Sequence, residues 1–257
     1  LPDLGETSAV TGPVFVQNKI ALSKGSLTIF TAGAGRPVLC LHPAAGLAIR
    51  SVAKTLALNH LVICPIVPGY EDTPYLDGLT TVPGVADLLA EYINGHLNSP
   101  LTVVGHSMGA RLGAWLTVRH PHLVERLVLM APAGFRPIDA PPLSFEPEIF
   151  IKQLYAHPER RVPETRTPEQ LAANRRAMAH YGIGAPRDEE LGALIGDITC
   201  PTLIIGGSKD VRVPPESIHD LHSRIKNSRM DFVDDAAHSI ETDQPDIAAA
   251  MVAKFLS

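Results

Sequence analysis

Cysteine is scarce, three in 257 residues. Cys40, Cys64 and Cys200 are odd in number, never spaced C-x-x-C, and lie in or beside apolar runs such as Val38-Leu39-Cys40-Leu41 and Leu61-Val62-Ile63-Cys64. That pattern excludes a disulfide framework and a thiolate metal site, and it predicts three small buried hydrophobes in a reducing compartment. Long apolar runs are missing as well. No stretch approaches the roughly 20 apolar residues of a membrane span, and Leu1-Pro2-Asp3-Leu4-Gly5-Glu6 lacks the basic and apolar regions of a signal peptide. A cytoplasmic protein with no membrane span is the expectation, although the chain does not begin with Met and a leader removed before Leu1 is left open. Nor is there an excess of positive charge. Lys and Arg total 22 against 27 Asp and Glu, a net charge of -5, so the field of the whole chain repels phosphate backbones and nucleic acid is not an expected partner. H-E-x-x-H, paired C-x-x-C and G-x-x-x-x-G-K-[ST] do not occur, and Gly33-Ala34-Gly35 lacks the third glycine of a dinucleotide loop. No metal, nucleotide or other cofactor is expected. His219 with His222, and His120 with His122, have no third ligand nearby and read as surface histidines.

What the chain does have is core. With 45% hydrophobic and 19% charged residues it is too apolar for disorder, coiled coil or collagen, and its length suits one large domain or a core with an insertion. Short apolar runs recur as Val14-Phe15-Val16, Leu27 to Phe30, Val38 to Leu41, Leu61 to Val67, Leu101 to Val104, Leu127 to Met130, Thr202 to Ile205 and Met230 to Val233. The first two sit close together like a hairpin. The later ones are continuous, as in parallel strands buried on both faces. Between them lie helical stripes: Leu88, Leu89, Tyr92 and Ile93, then Gly109 to Arg119, and finally Ile247 to Phe255. Strands alternating with helices predict an α/β fold, an eight-stranded, mostly parallel sheet flanked by helices.

The alternation stops between Gly134 and Gly196, a stretch rich in proline with no strand-like run. It predicts a helical cap over residues 135–196 inserted after strand 6, with residues 1–134 and 197–257 as the core. Its helical pieces are Glu148 to Ala156 and Pro168 to Tyr181, the latter opened by Thr167 as N-cap. The cap carries 8 Lys and Arg with 9 Asp and Glu, so Arg160, Arg161, Arg175 and Arg176 read as a solvated face.

The sharpest local signal is Leu101-Thr102-Val103-Val104-Gly105-His106-Ser107-Met108-Gly109-Ala110, a buried strand running through G-x-S-x-G into a helix. A tight strand-to-helix turn holds a serine in a strained conformation with its oxygen exposed only where the residues two before and two after are small, as Gly105 and Gly109 are. Ala110, Gly113 and Ala114 keep the inner face of the following helix small. A serine hydroxyl needs a base, and the base needs an orienting carboxylate. Asp210 follows the Thr202 to Ile205 strand and His238 follows Met230 to Val233, at the sheet edge where sites of open parallel sheets gather. Asp139, Asp234 and Asp235 are the rival acids. The last two lie too close to His238 along the chain to reach round its ring, and Asp139 stands at the start of the cap, so Asp210 is preferred.

In this order, Ser107, Asp210, His238, the sequence resembles the α/β-hydrolase superfamily from the Val14 strand to the Phe255 helix. Smaller motifs agree. Leu39-Cys40-Leu41-His42-Pro43-Ala44-Ala45-Gly46 resembles the family's H-G-x-x-G loop, and Pro65-Ile66-Val67-Pro68-Gly69-Tyr70 resembles its P-x-x-P-G-[YFH] turn. Asp210 to Pro214 resembles D-x-x-x-P, and His238 with Gln244-Pro245 resembles the H-x-x-x-x-E-x-P ending. The resemblance implies a cofactor-free serine hydrolase with an oxyanion hole made by the backbone N–H groups of Ala44 and Met108, the loops carrying His42 and His106 beside them. Pro43 departs from the pattern, standing where the family has Gly, with φ fixed and no N–H, while Ala44 keeps its own. The expected substrate is a small acyl compound, an ester, thioester or lactone. The alternatives are hydrolysis of a carbon-carbon bond in a vinylogous diketone, acyl transfer, and a ligand-binding protein that kept the fold.

Overall fold

The computed structural model describes residues 12–257 except residues 98 and 145, so the reading of the first six residues lies outside the described residues. Its sheet has eight strands: β1 (Val16–Leu22), β2 (Gly25–Ala32), β3 (Pro37–Leu41), β4 (Leu61–Pro65), β5 (Leu101–His106), β6 (Val124–Met130), β7 (Thr202–Gly207) and β8 (Ser228–Val233), in the order β1-β2-β4-β3-β5-β6-β7-β8. From β4 across to β8 all pairings are parallel, and only β2 runs against its neighbours. The first strand lies further along the chain than the Val14-Phe15-Val16 run suggests. β1 is an edge strand whose side chains are mostly exposed, so it carries no apolar signature, whereas the apolar Val14 lies in solvent.

The central strands are apolar on both faces because each face has its own core. Leu39, Val103, Leu127, Leu129 and Ile204 pack with the helices α2 (Val82–His96) and α3 (Met108–Arg119). Val38, Val104, Val128 and Ile205, the alternate residues, pack with α1 (Ser51–Leu56) and α9 (Pro245–Leu256). All three cysteines are free, but only Cys64 is buried. Cys40 in β3 and Cys200 in the loop before β7 keep partial exposure. The Cys40 thiol is pushed up by its contact with Cys64 and by burial.

Between β6 and β7 the chain forms α4 (Pro147–Leu154), α5 (Pro168–His180) and α6 (Glu189–Leu194), and adds no strand to the sheet. α5 starts as expected: Thr167 caps it, and Gln170 returns a side-chain bond to the Thr167 N–H, a full capping box. α6 behaves differently from the two before it. Asp188 caps it through Leu191 N–H (3.0 Å) and also takes Arg111 Nε (2.6 Å) and Trp115 Nε1 (2.9 Å) from α3, so α6 is fastened to the flank of the core. The chain then continues through β7, α7 (Pro215–Arg224), β8 and α8 (Ile240–Asp243). No helix among the described residues is long and apolar enough to cross a membrane.

Candidate active site

Ser107 sits between β5 and α3 at φ 54° and ψ -112°, a conformation that L-residues rarely adopt. The turn is locked by backbone bonds: Ser107 N–H donates to Met130 O (2.9 Å), and Ser107 O accepts from Arg111 and Ala133 N–H (3.1 Å each). The two motif glycines have a steric reason. A Cβ on Gly105 would run into the backbone of Gly109, and one on Gly109 would run into the Leu41 carbonyl of β3. A Cβ on Gly113 would press on Val103, so the small face of α3 lets the helix sit down on the sheet.

The loops after β7 and β8 bring the other two groups in. His238 Nε2 lies 2.9 Å from Ser107 Oγ and its Nδ1 lies 2.9 Å from Asp210 Oδ2. All three are buried, at 8%, 6% and 2% exposure for Ser107, His238 and Asp210. The second oxygen of Asp210 accepts from Arg212 N–H (2.7 Å) and Val213 N–H (2.9 Å), which suits an ionised carboxylate. His106, next to the serine, reaches the His238 carbonyl with Nε2 (2.8 Å) and must donate there. Burial and the neighbouring His238 push its pKa down to about 3, so its ring is neutral near pH 7. The rival acids lie elsewhere. Asp235 pairs with Lys209 (2.5 Å) and His157 (2.7 Å), while Asp139 and Asp234 are exposed.

The loop after β3 is a tight turn that uses its proline. Pro43 O accepts from Gly46 N–H (3.0 Å) and from His42 Nδ1 (2.8 Å), so the proline supplies a carbonyl where its missing N–H is not needed. Val67 N–H donates to His42 Nε2 (3.1 Å), which assigns the ring proton to Nδ1, and burial lowers this histidine to about 4. Ala44 and Ala45 are the central residues of the turn. Met108, as the first residue of α3, carries one of the N–H groups a helix leaves without an internal partner. Glu71, held at φ 50°, closes the outer side of the turn. Its carboxylate accepts from Leu47 N–H (3.0 Å) and Arg166 Nε (2.8 Å), while Asn174 donates to Ala45 O (3.0 Å).

Residues from 135 onward reach across the carboxyl ends of these strands. Asn174 and Arg166 hold the β3 and β4 loops, and Tyr181 Oη donates to Pro68 O (2.9 Å). On the opposite side the buried Asp243 accepts from Ala156 (3.0 Å) and His157 (2.9 Å) of the segment and from Ala237 N–H (2.8 Å), one residue before His238. Asp243 occupies the acidic place of the ending resembled by His238 and Gln244-Pro245, and that match was the signal available for it. Arg160 also bonds the Asp243 carbonyl, while Arg161, Arg175 and Arg176 are exposed. A cavity of about 630 Å³ lies between the start of the segment and the β7 loop. It touches Asp210 but is lined by neither Ser107 nor His238. Among the described residues no group of three or more His, Cys, Asp or Glu side chains is placed to hold a metal ion.

A buried serine at a strand-to-helix turn, facing an imidazole that faces a carboxylate, on a sheet of this order, defines a hydrolase of the α/β class. The sequence profile of the alpha/beta hydrolase family matches residues 33–251, and the chain belongs to that family. It is 25% identical over 211 residues to a pimeloyl-[acyl-carrier protein] methyl ester esterase of Neisseria meningitidis serogroup A, covering 74% of this chain and 66% of that protein. It is 27% identical over 252 residues to a 2-hydroxy-6-oxo-2,4-heptadienoate hydrolase of Pseudomonas putida, covering 88% and 90%. Among solved structures, a serine hydrolase involved in carbazole degradation superposes with TM-score 0.78 at 23% identity, covering 95% of this chain and 99% of that one.

Proposed function

We propose that the protein hydrolyses a small acyl compound, an ester, thioester or lactone, through a covalent acyl-enzyme on Ser107. The observation that carries this reading is the unbroken line Ser107 Oγ, His238 Nε2, His238 Nδ1, Asp210 Oδ2, with both contacts at 2.9 Å in a buried setting. Ser107 Oγ attacks the substrate carbonyl carbon as His238 Nε2 takes the hydroxyl proton. The tetrahedral intermediate carries its negative charge on the former carbonyl oxygen, which the N–H groups of Ala44 and Met108 receive. Collapse breaks the bond to the leaving group, and that proton passes from His238 to the departing atom. Water then gives a proton to His238 and attacks the acyl carbon, releasing the acid and restoring Ser107. Asp210 keeps the Nδ1–H tautomer and stabilises the imidazolium. Residues 135–196 act as the cap. With Ser107 covered, substrate reaches it when this segment lifts, and closure then excludes water not used in the reaction.

A second reading, cleavage of a carbon-carbon bond in a vinylogous diketone, draws support from the Pseudomonas putida relative, which matches over more of this chain than the Neisseria one. Acyl esters of graded chain length, assayed beside dicarbonyl substrates, separate the two. Labelling with a fluorophosphonate should place the adduct on Ser107 alone, and Ser107→Ala should lose both label and turnover while staying folded. An adduct elsewhere, or an active alanine variant, refutes Ser107 as the nucleophile.

A further inference from the structure

Arg136 stands just after β6, at the foot of the segment that covers the site, and is 8% exposed. Its guanidinium hydrogen bonds all go to backbone carbonyls: Nη1 to Val211 O and to Arg212 O (2.9 Å), Nη2 to Pro141 O (2.5 Å). The first two carbonyls belong to particular peptide units. Val211 C=O shares its unit with Arg212 N–H, and Arg212 C=O shares its unit with Val213 N–H, and those two N–H groups are the ones that hold Asp210 Oδ1. Each peptide unit therefore receives a bond from the cation on one side and gives one to the carboxylate on the other. Chains of hydrogen bonds in this sense polarise one another, so the positive charge acts on Asp210 through two peptide dipoles as well as directly.

We infer that Arg136 is a positioning residue for the triad acid, a side chain of the covering segment that fixes and polarises the loop holding Asp210. The inference rests on the triad reading above. The backbone of Arg136 is itself pinned where the segment leaves and rejoins the core: its N–H donates to Pro186 O (3.3 Å), its carbonyl accepts from Arg187 Nη1 (2.7 Å), and Phe135 bridges to Arg187. Arg136 thus links the base of the cap to the acid with no hydrogen bond to His238 or Ser107. The other titratable and charged groups facing Asp210 are His238, Arg212, whose guanidinium lies 5.1 Å from the Phe150 ring, and the neutral His106.

The test measures kcat, KM and the pH profile of kcat/KM for hydrolysis of an activated aryl ester in Arg136→Gln and Arg136→Lys, alone and combined with Asp210→Asn. Displacing the acid by about 1 Å is worth about 10² in rate, so Arg136→Gln should lose about that factor in kcat with KM little changed. Its acidic limb should move as well, because both the position of the counter-charge and the field of the cation at the imidazolium change. Lys keeps the charge but not the fork, so Arg136→Lys should fall between the two. In the Asp210→Asn background the glutamine change should cost less than about threefold, since the group through which it acts is gone. A folded Arg136→Gln with wild-type kcat and limb, or the same loss in both backgrounds, overturns the inference. If the glutamine variant does not fold, a lysine variant with unshifted limb and undiminished kcat overturns it equally. Loss of the triad reading itself would show separately, as turnover surviving Ser107→Ala.

Discussion

Replacing His106 with glutamine isolates a proton that the folded chain refuses. Its half-buried ring stands next to the serine, donates from Nε2 to the His238 carbonyl, and has its pKa lowered from 6.5 to about 3 by burial and the nearby His238. In the unfolded chain the same ring titrates at its ordinary value. Between these limits the unfolded state binds one proton more than the folded state, so stability rises with pH there. The stability that His106 contributes is complete above about pH 6.5 and is lost as pH falls toward 3. Between pH 7 and pH 5 the loss is about 2 kcal/mol, with a slope near pH 5 of about 1.4 kcal/mol per pH unit. His42, lowered to about 4 by burial, adds a loss of the same sign, whereas burial raises the Glu241 carboxyl and works the other way. The difference between wild type and His106→Gln removes both of those contributions. Glutamine places an amide N–H where Nε2–H stood and does not titrate. Urea unfolding at pH 7, 6 and 5 should therefore show wild type losing about 2 kcal/mol more than the variant across the window. Parallel pH dependences would mean that His106 takes up its proton as readily in the fold as in the unfolded chain, and the lowered pKa assigned to it would be wrong.

Two further outcomes follow from contacts already described. Asp210→Asn should lower turnover by about 10⁴ through the wrong imidazole tautomer, while Asp139→Asn, on an exposed side chain, should leave kcat within about twofold; steady-state kinetics reversing that order would move the acid to the β6 loop. Asp188→Ala should destabilise the fold by about 3–5 kcal/mol in chemical unfolding, because it strands the buried Arg111 and also removes the Trp115 bond and the α6 cap; a loss under about 1 kcal/mol would show that Arg111 finds water instead.

The parts of this molecule that were legible in its sequence are the parts made by neighbours in the chain. The serine turn could be read because β5, the two glycines, the serine and α3 are contiguous, and a tight turn admits few residue types. Thr167 and Gln170 announced the start of α5 for the same reason. β1 begins later than the apolar run because an edge strand needs no apolar face, and α1 and α6, of six residues each, are too short for a periodic stripe to stand out. Asp210 could be preferred over its rivals by position after a strand, but its hold on His238 depends on a 28-residue separation that only the fold closes. Arg136, Glu71, Arg166 and Asn174 left no trace at all. Each is a single polar residue with a partner 75, 95 or 129 positions away, and such pairs have no spacing to read.

The backbone of Ser107 has a consequence for how this protein can change. At φ 54° and ψ -112° it occupies a region that costs an L-residue about 1–3 kcal/mol and costs glycine almost nothing. A mutational search that rewards heat tolerance alone would thus favour glycine at the position where the proposed nucleophile stands. Thermostable descendants selected without an activity screen would drift toward inert, well-folded proteins, and any lineage that has kept this serine has been held there against its own conformational preference.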